Sequence, residues 1–232
     1  MSICKLPDNL VKAEFISRLN RFVALVRMGD RDVKVHVPSS GRMRELLVPG
    51  ARVYLSPSEA LQRKTAYTLL LVRQGEVLVS VDSLLPNRLL YTSFLRGEVP
   101  GFTGFTRVRR EFPYRRGRMD FLLSGGGKEC LVEVKSVTLV EKGLALFPDA
   151  PTGRGARHLE ELTLAYREGY RVAVIFVVQR EDGDSFSPND RCDPHFGETL
   201  RQAARNGVEV YALGCRVTTD KIQLHGSLPV LV

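Results

Sequence analysis

The chain has 232 residues, of which 44% are hydrophobic, and it carries 34 Lys and Arg side chains against 26 Asp and Glu, a formal net charge of +8. This is the composition of a globular protein with one large core or two small ones, and no apolar run approaches the roughly 18 residues that a membrane span requires. The first residues include acidic side chains and lack an apolar segment, which predicts that there is no signal peptide. Four scattered cysteines without C-x-x-C spacing predict reduced thiols and a cytoplasmic location.

The positive charge is concentrated in one part of the chain. Residues 84–118 contain eight arginines and two glutamates, whereas the residues after 118 have more acidic than basic side chains. An arginine-dense segment ahead of acidic strands is typical of a protein that holds a polyanion beside a carboxylate site, although a solvated basic face is the alternative. The guanidinium group matches phosphate oxygens better than an ammonium group does, which favours a nucleic-acid partner.

In chain order, the first third predicts short strands joined by tight turns. Residues 32–38, DVKVHVP, alternate with the period of a strand. The segment SSGRMRELLVPG predicts a short helical turn that stops at Pro49 and Gly50, and the segments ARVYLSP, AYTLLLVRQ and EVLVSVD predict further strands. Five or so short strands in residues 1–83 predict a small all-β barrel of the oligonucleotide-binding (OB) type.

After residue 83 the pattern changes to helices alternating with strands. Helical spacing occurs in residues 83–102, 155–169 and 194–207. Strands are predicted within FTRVRREFPY, GRMDFLLSG, ECLVEVKSVTLV, YRVAVIFVVQ and VEVYALGCRVT, and residues 181–195 are predicted to be a polar loop. This order predicts a second domain, residues 84–232, that is a three-layer α/β mixed sheet.

The predicted hairpin RMDFLLSGGGKECLVEVK, residues 118–135, carries charged side chains within apolar strands. Glu133 and Lys135 are two residues apart and project from the same face. A two- or four-residue turn places Asp120 on that face, with its Cβ atom about 4.5–8 Å from that of Glu133, whereas a three-residue turn places it on the opposite face. The register of the hairpin therefore decides whether a carboxylate pair forms.

Two carboxylates at this distance repel each other unless one is protonated or a divalent cation binds both. Carboxylate oxygens on a rigid strand pair suit Mg²⁺ or Mn²⁺. Lys135 would then orient or deprotonate an attacking water, or stabilise negative charge on a phosphate. An ordinary ion pair between Glu133 and Lys135 on an edge strand is the alternative.

The motif Asp120 … Glu133-Val134-Lys135 in this context resembles the PD-(D/E)xK nuclease superfamily. Four longer stretches resemble one family within it, the sugar fermentation stimulation proteins, which are DNA-binding proteins of bacteria and archaea: HVPSSGRMRELLVPG, GRMDFLL, CLVEVKSVTLV and ALFPDAPTGRGARHLEEL. The resemblance implies an N-terminal OB barrel followed by a PD-(D/E)xK nuclease-like domain. It implies that Asp120 and Glu133 are metal ligands and that both act with Lys135 in catalysis.

Other site residues follow from the same resemblance. Many nucleases of the superfamily use one more acid, for which Glu98 and Glu111 are the candidates. The literal Pro148-Asp149 follows the E-x-K motif and belongs to the family's own signature instead. In the loop HVPSSGRM, Val37 and Ser39 depart from the family's usual Cys-Pro-Asn-Thr/Ser-Gly, so its role as a phosphate-binding loop competes with simple helix capping.

The remaining candidates are nucleic-acid contacts. Arginines at the start of a predicted helix suit a phosphate, because the dipole and free N–H groups already attract anions, although pairing with Glu160 and Glu161 is the alternative. His158 either contacts nucleic acid or hydrogen-bonds a site carboxylate. The predicted nucleic-acid-binding residues are Arg42, Arg44, Arg109, Arg110, Arg115, Arg116, Arg118, Arg154, Arg157 and His158. Stacking platforms for a single strand would come from Phe15, Phe22, Tyr54 or Tyr67.

Two functions compete at this point. The first is a Mg²⁺- or Mn²⁺-dependent nuclease acting on nucleic acid, most simply DNA. The second is a DNA-binding regulator of sugar (maltose) metabolism that keeps the nuclease fold without using it. The presence of Asp120, Glu133 and Lys135 together favours the first. The sequence predicts no membrane partner and allows a homodimer.

Overall fold

A computed structural model describes residues 2–58, 65–115 and 117–232. The described part of residues 1–83 contains seven strands. These are β1 (Ile3–Lys5), β2 (Val11–Asn20), β3 (Val23–Met28), β4 (Arg31–His36), β5 (Arg52–Pro57), β6 (Tyr67–Gln74) and β7 (Val77–Ser80). None of the described helices is long and apolar enough to cross a membrane.

Strands β2 to β6 form a closed five-stranded barrel. Their order is β4-β3-β2-β5-β6, and the barrel closes where His36 of β4 pairs with Thr68 of β6. Apolar side chains from every strand fill the interior, among them Phe15, Val35 and Leu69, and all three are buried. Strand β7 extends the sheet beyond β6 as a hairpin. The predicted OB barrel is confirmed.

The rest of the chain forms the second domain, in which helices and strands alternate. Its elements are α1 (Leu85–Leu95), β8 (Arg107–Tyr114), β9 (Gly117–Gly125), β10 (Lys128–Val137), β11 (Leu139–Glu141), β12 (Leu144–Phe147), α2 (Gly153–Arg167), β13 (Arg171–Val178), β14 (Ser185–Pro188), α3 (Pro194–Arg205), β15 (Glu209–Val217) and β16 (Lys221–Leu228).

A seven-stranded mixed sheet is the centre of this domain. Its order is β1-β16-β15-β13-β10-β9-β8, with β10, β13 and β15 parallel and the remaining neighbours antiparallel. Val132 and Val134 of β10 pack beneath α1, whereas Leu131 packs with Leu159 of α2 on the other face. Helices therefore cover both faces, as expected for the predicted three-layer PD-(D/E)xK nuclease-like domain.

Side-chain caps fix where α2 and α3 begin. Thr152 caps α2 by accepting from the N–H of Gly155 at 3.1 Å, and Asp193 caps α3 by accepting from the N–H of Phe196 at 3.0 Å. The second oxygen of Asp193 accepts from the N–H of Thr152 at 2.7 Å. One carboxylate thus ties the two helix starts together and holds the first turn of α2 in place.

Four features differ from the sequence predictions. Strand β1 pairs with β16, so the first residues of the predicted unit 1–83 join the second sheet. Residues 181–195, predicted as a polar loop, contain β14, which pairs with β12 in a small separate sheet. Strands β12 and β16 were not predicted. These strands form because of partners far away in sequence, and short polar strands carry little local signal.

The β9–β10 hairpin closes with a two-residue turn. Gly125 pairs with Lys128, and Gly126 and Gly127 between them have φ values of +57° and +73°. Left-handed conformations at both central residues define a type I′ turn, which requires residues such as glycine. The three consecutive glycines of the sequence therefore set the register of the hairpin.

The two domains are joined by hydrogen bonds at the barrel loop, residues 38–44. Asp149, in the loop before α2, accepts from the backbone N–H of Met43 at 2.8 Å, and Met43 is buried with φ of +47°. At the end of β7, the side-chain amide of Gln179 donates to the carbonyl of Asp82 at 3.2 Å, and the backbone carbonyl of Gln179 accepts from the N–H of Ser80 at 3.0 Å. The barrel is thereby fixed against the second sheet.

Asp149→Ala is expected to lower the free energy of unfolding by about 1–3 kcal/mol, because it leaves the Met43 N–H without its acceptor. Asp149→Asn keeps an acceptor oxygen and should lose less. Urea denaturation of both variants measures the difference. Equal stability of the alanine variant and the unmodified protein would show that this bond does not stabilise the domain contact.

Candidate active site

Asp120 and Glu133 lie opposite each other on the β9–β10 hairpin. Val132 pairs with Phe121, and one further step of the same register sets Asp120 against Glu133. The two-residue turn is one of the two loop lengths for which the sequence predicts this arrangement. The hairpin register therefore brings the two predicted carboxylates together.

The regular alternation of β9 changes at Asp120. Met119 and Leu122 both pack beneath α2 and α3 although they are three residues apart, whereas Phe121 packs beneath α1. On β8, Glu111 lies opposite Asp120, between two regular pairs, and has φ of +50°. This irregularity has the effect of a β-bulge, which changes the direction in which a strand presents its side chains.

The redirected Asp120 carboxylate is held by two donors. Its Oδ2 accepts from the backbone N–H of Val134 at 2.7 Å, and its Oδ1 accepts from the side chain of Asn87, on α1, at 2.7 Å. Asn87 was not predicted as a site residue, because nothing in its local sequence distinguishes it from a surface asparagine of a helix. The contact depends on how α1 packs on the sheet.

Glu133 is buried and is held through a single oxygen. Its Oε1 accepts from Lys135 Nζ at 2.5 Å and contacts Nδ1 of the buried His158. Arg154 Nε donates to the other ring nitrogen, Nε2, at 3.3 Å. Because a guanidinium group can only donate, Nε2 must accept, so the neutral imidazole carries its proton on Nδ1 and donates it to Glu133.

The second oxygen of Glu133 remains free. Oε2 is buried and has no hydrogen-bond partner among the residues that the structure describes. An unpaired buried carboxylate oxygen costs about 1–3 kcal/mol, and such atoms in native structures call for an explanation such as an ion or a water. The atom is a candidate ligand for a cation.

The donor set fits a hard divalent cation with few protein ligands. Within the described ranges, no group of three or more His, Cys, Asp or Glu side chains is arranged to hold a metal ion. Mg²⁺ is commonly bound by one or two carboxylates, with waters and substrate phosphates completing its coordination. Asp120 and the free oxygen of Glu133 match that requirement.

The two carboxyl groups have pKa values shifted in opposite directions. Burial and the negative charge of Glu133 raise the pKa of Asp120 to about 6. Burial also acts to raise the pKa of Glu133, but the nearby Lys135 and the hydrogen bond from His158 outweigh it, and the pKa is lowered. At neutral pH both groups are therefore ionised, and the repulsion between them favours a cation.

The two candidates for an additional acid differ in their position relative to the hairpin. Glu98 accepts from Ser2 at 3.0 Å and lines a small cleft with Leu213 and Leu224, on β15 and β16, so that β13 separates these strands from β10. Glu111, opposite Asp120 on β8, is 56% exposed and lies 3.7 Å from Arg118. A role for either acid stays a prediction.

Most of the predicted arginine contacts lie at the surface. Arg42 and Arg44 are exposed on the barrel loop, and Arg154 and Arg157 are exposed on the first turn of α2. On β8, which is the edge strand of the sheet, the exposed Arg109 and Arg110 stack on Phe112 and Tyr91 at 5.0 and 5.3 Å, and Arg118 of β9 is also exposed. These side chains are accessible to a polyanion, although Arg118 also lies within ion-pair distance of Glu111 and Arg154 also contacts His158.

Three predicted contacts differ from this pattern. Arg115 is paired with Glu168 and Tyr114, so its charge is used within the fold. His158 is buried against Glu133, where it cannot contact nucleic acid at the surface. Arg116 lies outside the described residues. The sequence could not predict the contacts of Arg115 and His158, because each depends on a carboxylate distant in the chain.

A closed OB barrel followed by a three-layer domain built on a mixed sheet defines the class of this protein. Two family models match the chain: the SfsA N-terminal OB domain at residues 16–81 and the Sugar fermentation stimulation protein RE domain at residues 84–221. The chain belongs to the sugar fermentation stimulation protein family, as the sequence motifs predict.

Individual relatives agree over nearly the whole length. The Sugar fermentation stimulation protein homolog of Desulforamulus reducens is 50% identical over 225 residues, covering 97% of this chain and 93% of the relative. The homolog of Symbiobacterium thermophilum is 51% identical, covering 97% and 96%. Pyrococcus furiosus SfsA, solved in complex with Ca²⁺, is similar with a TM-score of 0.92 and 30% identity over 100% of both chains.

Asp120→Asn isolates the cost of the Asp120 charge through its pH dependence. The folded-state pKa of Asp120, about 6, lies above its unfolded value, so ionisation destabilises the unmodified protein as pH rises from about 4 to 6. The asparagine keeps only one of the two acceptor oxygens at every pH, which is a constant loss. Relative to the unmodified protein, the metal-free variant should therefore gain about 1–3 kcal/mol of stability between pH 4 and pH 7.5, as measured by urea denaturation in EDTA.

The control for this measurement is Asp30→Asn, at an exposed turn, which should change stability little at any pH. A stability difference between Asp120→Asn and the unmodified protein that stays the same from pH 4 to pH 7.5 would contradict the destabilising role of the charge.

Proposed function

We propose that this protein binds DNA and hydrolyses its phosphodiester bonds in a metal-dependent reaction at Asp120, Glu133 and Lys135. The observation that carries the proposal is the buried Oε2 of Glu133, which has no partner among the described residues and lies on the strand that faces Asp120. A structural ion pair alone would not leave this atom unsatisfied.

Asp120 and Glu133 would hold Mg²⁺ or Mn²⁺. When bound, the cation acts as a Lewis acid on the scissile phosphate and on the attacking water. The Ca²⁺ complex of Pyrococcus furiosus SfsA supports a divalent-cation site in this chain, because that protein matches over its full length. Ca²⁺ and Mg²⁺ both prefer oxygen ligands.

The chain's own residues prepare this site. Lys135 keeps a positive charge 2.5 Å from Glu133, where it can orient the water and stabilise negative charge that develops on phosphate oxygens. His158 is a positioning residue: together with Lys135 it occupies Oε1 of Glu133 and so leaves Oε2 to face a cation. Arg154 fixes the imidazole proton on the nitrogen that this requires.

Exposed arginines on two sides of the site would hold the DNA backbone. Arg154 and Arg157 lie on the same helix turn as His158, and Arg42 lies on the barrel loop that contacts the segment before this helix. Arginine contacts with phosphates position a nucleic acid without reading its sequence. The proposal therefore expects binding with little sequence preference and a strong dependence on salt.

A second candidate is a DNA-binding regulator of sugar metabolism that does not cleave. One observation favours it: both oxygens of Asp120 already accept hydrogen bonds, from Val134 and from Asn87. A carboxylate satisfied in this way can also serve as a structural group that holds the hairpin to α1. The two candidates share DNA binding and differ only in whether the site is used.

Cleavage decides between them. In Mg²⁺ or Mn²⁺, the unmodified protein should nick supercoiled plasmid, and Asp120→Asn and Lys135→Met should each reduce the rate at least about 100-fold, because they remove a ligand or the charge that stabilises the transition state. Gel electrophoresis of the plasmid measures the rate. The matched control for the lysine is Lys34→Met, on an exposed part of β4, which should cleave normally.

Binding is measured separately by fluorescence anisotropy in EDTA. All variants should bind DNA with an affinity that falls steeply with salt. If the unmodified protein binds DNA but cleaves no DNA or RNA substrate with either cation, the proposed nuclease activity is wrong. The proposal of a DNA-binding regulator that does not cleave then stands. If it does not bind at all, both candidates are wrong.

The role of His158 predicts a graded loss of metal affinity. His158→Ala should weaken Mn²⁺ binding about 10- to 100-fold, because Glu133 loses the donor that orients it. His158→Asn places an amide N–H near the position of Nδ1 and should lose less. Isothermal titration calorimetry with Mn²⁺ measures both without requiring activity. Unchanged affinity in the alanine variant would contradict a positioning role.

A further inference from the structure

An exposed aromatic side chain lies at the tip of the hairpin between β2 and β3. Of the aromatic residues considered for stacking, Phe15 is 1% exposed and Tyr54 is 4% exposed, because both belong to hydrophobic cores. Phe22 is 48% exposed, and Leu19 beside it is 47% exposed. The core does not require either side chain at this tip.

The backbone around Phe22 is held on both sides. Its N–H donates to the side chain of Asn20 at 2.9 Å, and its carbonyl accepts from the N–H of Val37 at 2.9 Å. Nδ1 of His36 lies 3.2 Å from the same carbonyl. The exposed ring is therefore carried by a fixed piece of backbone, which reduces the entropy lost when a flat ligand stacks on it.

Arg18 ties this hairpin tip to the barrel loop. One terminal nitrogen of its guanidinium group donates to the carbonyls of Gly41 and Arg42 at 2.5 and 2.8 Å. The other donates to the carbonyls of Arg21 and Ser39 at 2.5 and 3.0 Å. Four backbone carbonyls are thus gathered around a single cation, so the backbone that carries the exposed side chains of Arg21 and Arg42 is held close to the hairpin tip that carries Phe22.

This surface connects to the candidate active site through backbone contacts. The barrel loop continues from Arg42 to Met43, whose N–H donates to Asp149. Asp149 lies three residues before the cap of α2, and His158 of α2 contacts Glu133. A strand of nucleic acid that follows the exposed arginines from the barrel loop to α2 would pass from Phe22 to the carboxylates.

We infer that Phe22, with Arg21 and Arg42, is a stacking platform for an unpaired base, so that the protein acts on DNA that has a single-stranded segment next to the site. This inference rests on the DNA binding proposed above and names the form of DNA bound. An aromatic face flanked by arginines is the arrangement with which proteins bind single strands, because every base has a π-face and every linkage a phosphate. One Phe and one Leu are too small an apolar area for a stable protein partner.

The absence of tryptophan from the sequence allows a direct test. Phe22→Trp places a single indole at the proposed platform, and base stacking should quench its fluorescence. The protein is titrated in EDTA with oligothymidylate, with a blunt duplex and with an RNA single strand. Quenching by the DNA single strand and not by the duplex is expected. Equal quenching by the RNA and DNA single strands would show that the platform does not distinguish ribose from deoxyribose, and would contradict a preference for DNA.

Affinity measurements separate stacking from general contact. Phe22→Ala and Phe22→Leu should both weaken oligothymidylate binding about 5- to 100-fold, whereas Phe22→Tyr should retain it, because stacking requires a ring. Duplex affinity should change little. The matched control is Tyr166→Ala, an exposed aromatic on α2, which should bind normally.

Two outcomes would overturn the platform: no quenching of the tryptophan variant, or equal single-strand affinity of the unmodified protein and both ring-deleting variants. Neither outcome depends on catalysis. If the protein stacks a single strand but cleaves no substrate, the platform stands and the proposed nuclease activity fails. If it cleaves a plasmid but the platform variants bind a single strand normally, the nuclease activity stands and the stacking platform fails.

Discussion

The buried charge of Glu133 is the constraint around which the second domain is organised. A carboxylate in a hydrophobic sheet is stable only if it is paired, and Lys135 on the same strand and His158 on the following helix both approach one of its oxygens. This requirement fixes the position of α2, whose first turn is also held by Thr152 and Asp193. The other oxygen is left without a partner among the described residues, which is costly for folding and useful for binding a cation.

The contact between the domains includes hydrogen bonds to the backbone of the barrel loop. Asp149 of the second domain accepts from Met43, and within the barrel Arg18 gathers the carbonyls of the same loop. Buried backbone groups must find partners, so these bonds hold the loop in one conformation next to the start of α2. The barrel therefore contributes to the candidate site, because its loop lies next to the segment that precedes α2.

Much of the fold was predictable because it follows from short-range patterns. Alternating valines predicted the barrel strands, helical spacing predicted all three helices, and three glycines allowed the hairpin turn that sets Asp120 against Glu133. The failures have a common cause. The pairing of β1 with β16, the strand β14 and the contact of Asn87 with Asp120 all join residues far apart in sequence, where no local pattern specifies the partner.

The sequence by itself determined the family, the two kinds of domain and the residue types of the candidate site, because motifs and periodicity are local properties of the chain. Only the tertiary structure decided how those residues are used. Asp120 lies at an irregularity of the strand opposite Glu111, and His158 is buried against Glu133. Arg115 forms an ion pair with Glu168, whereas Phe22 is exposed to solvent. Burial and pairing depend on which distant elements pack together, and they decide whether a charged or aromatic side chain stabilises the fold or remains free to bind.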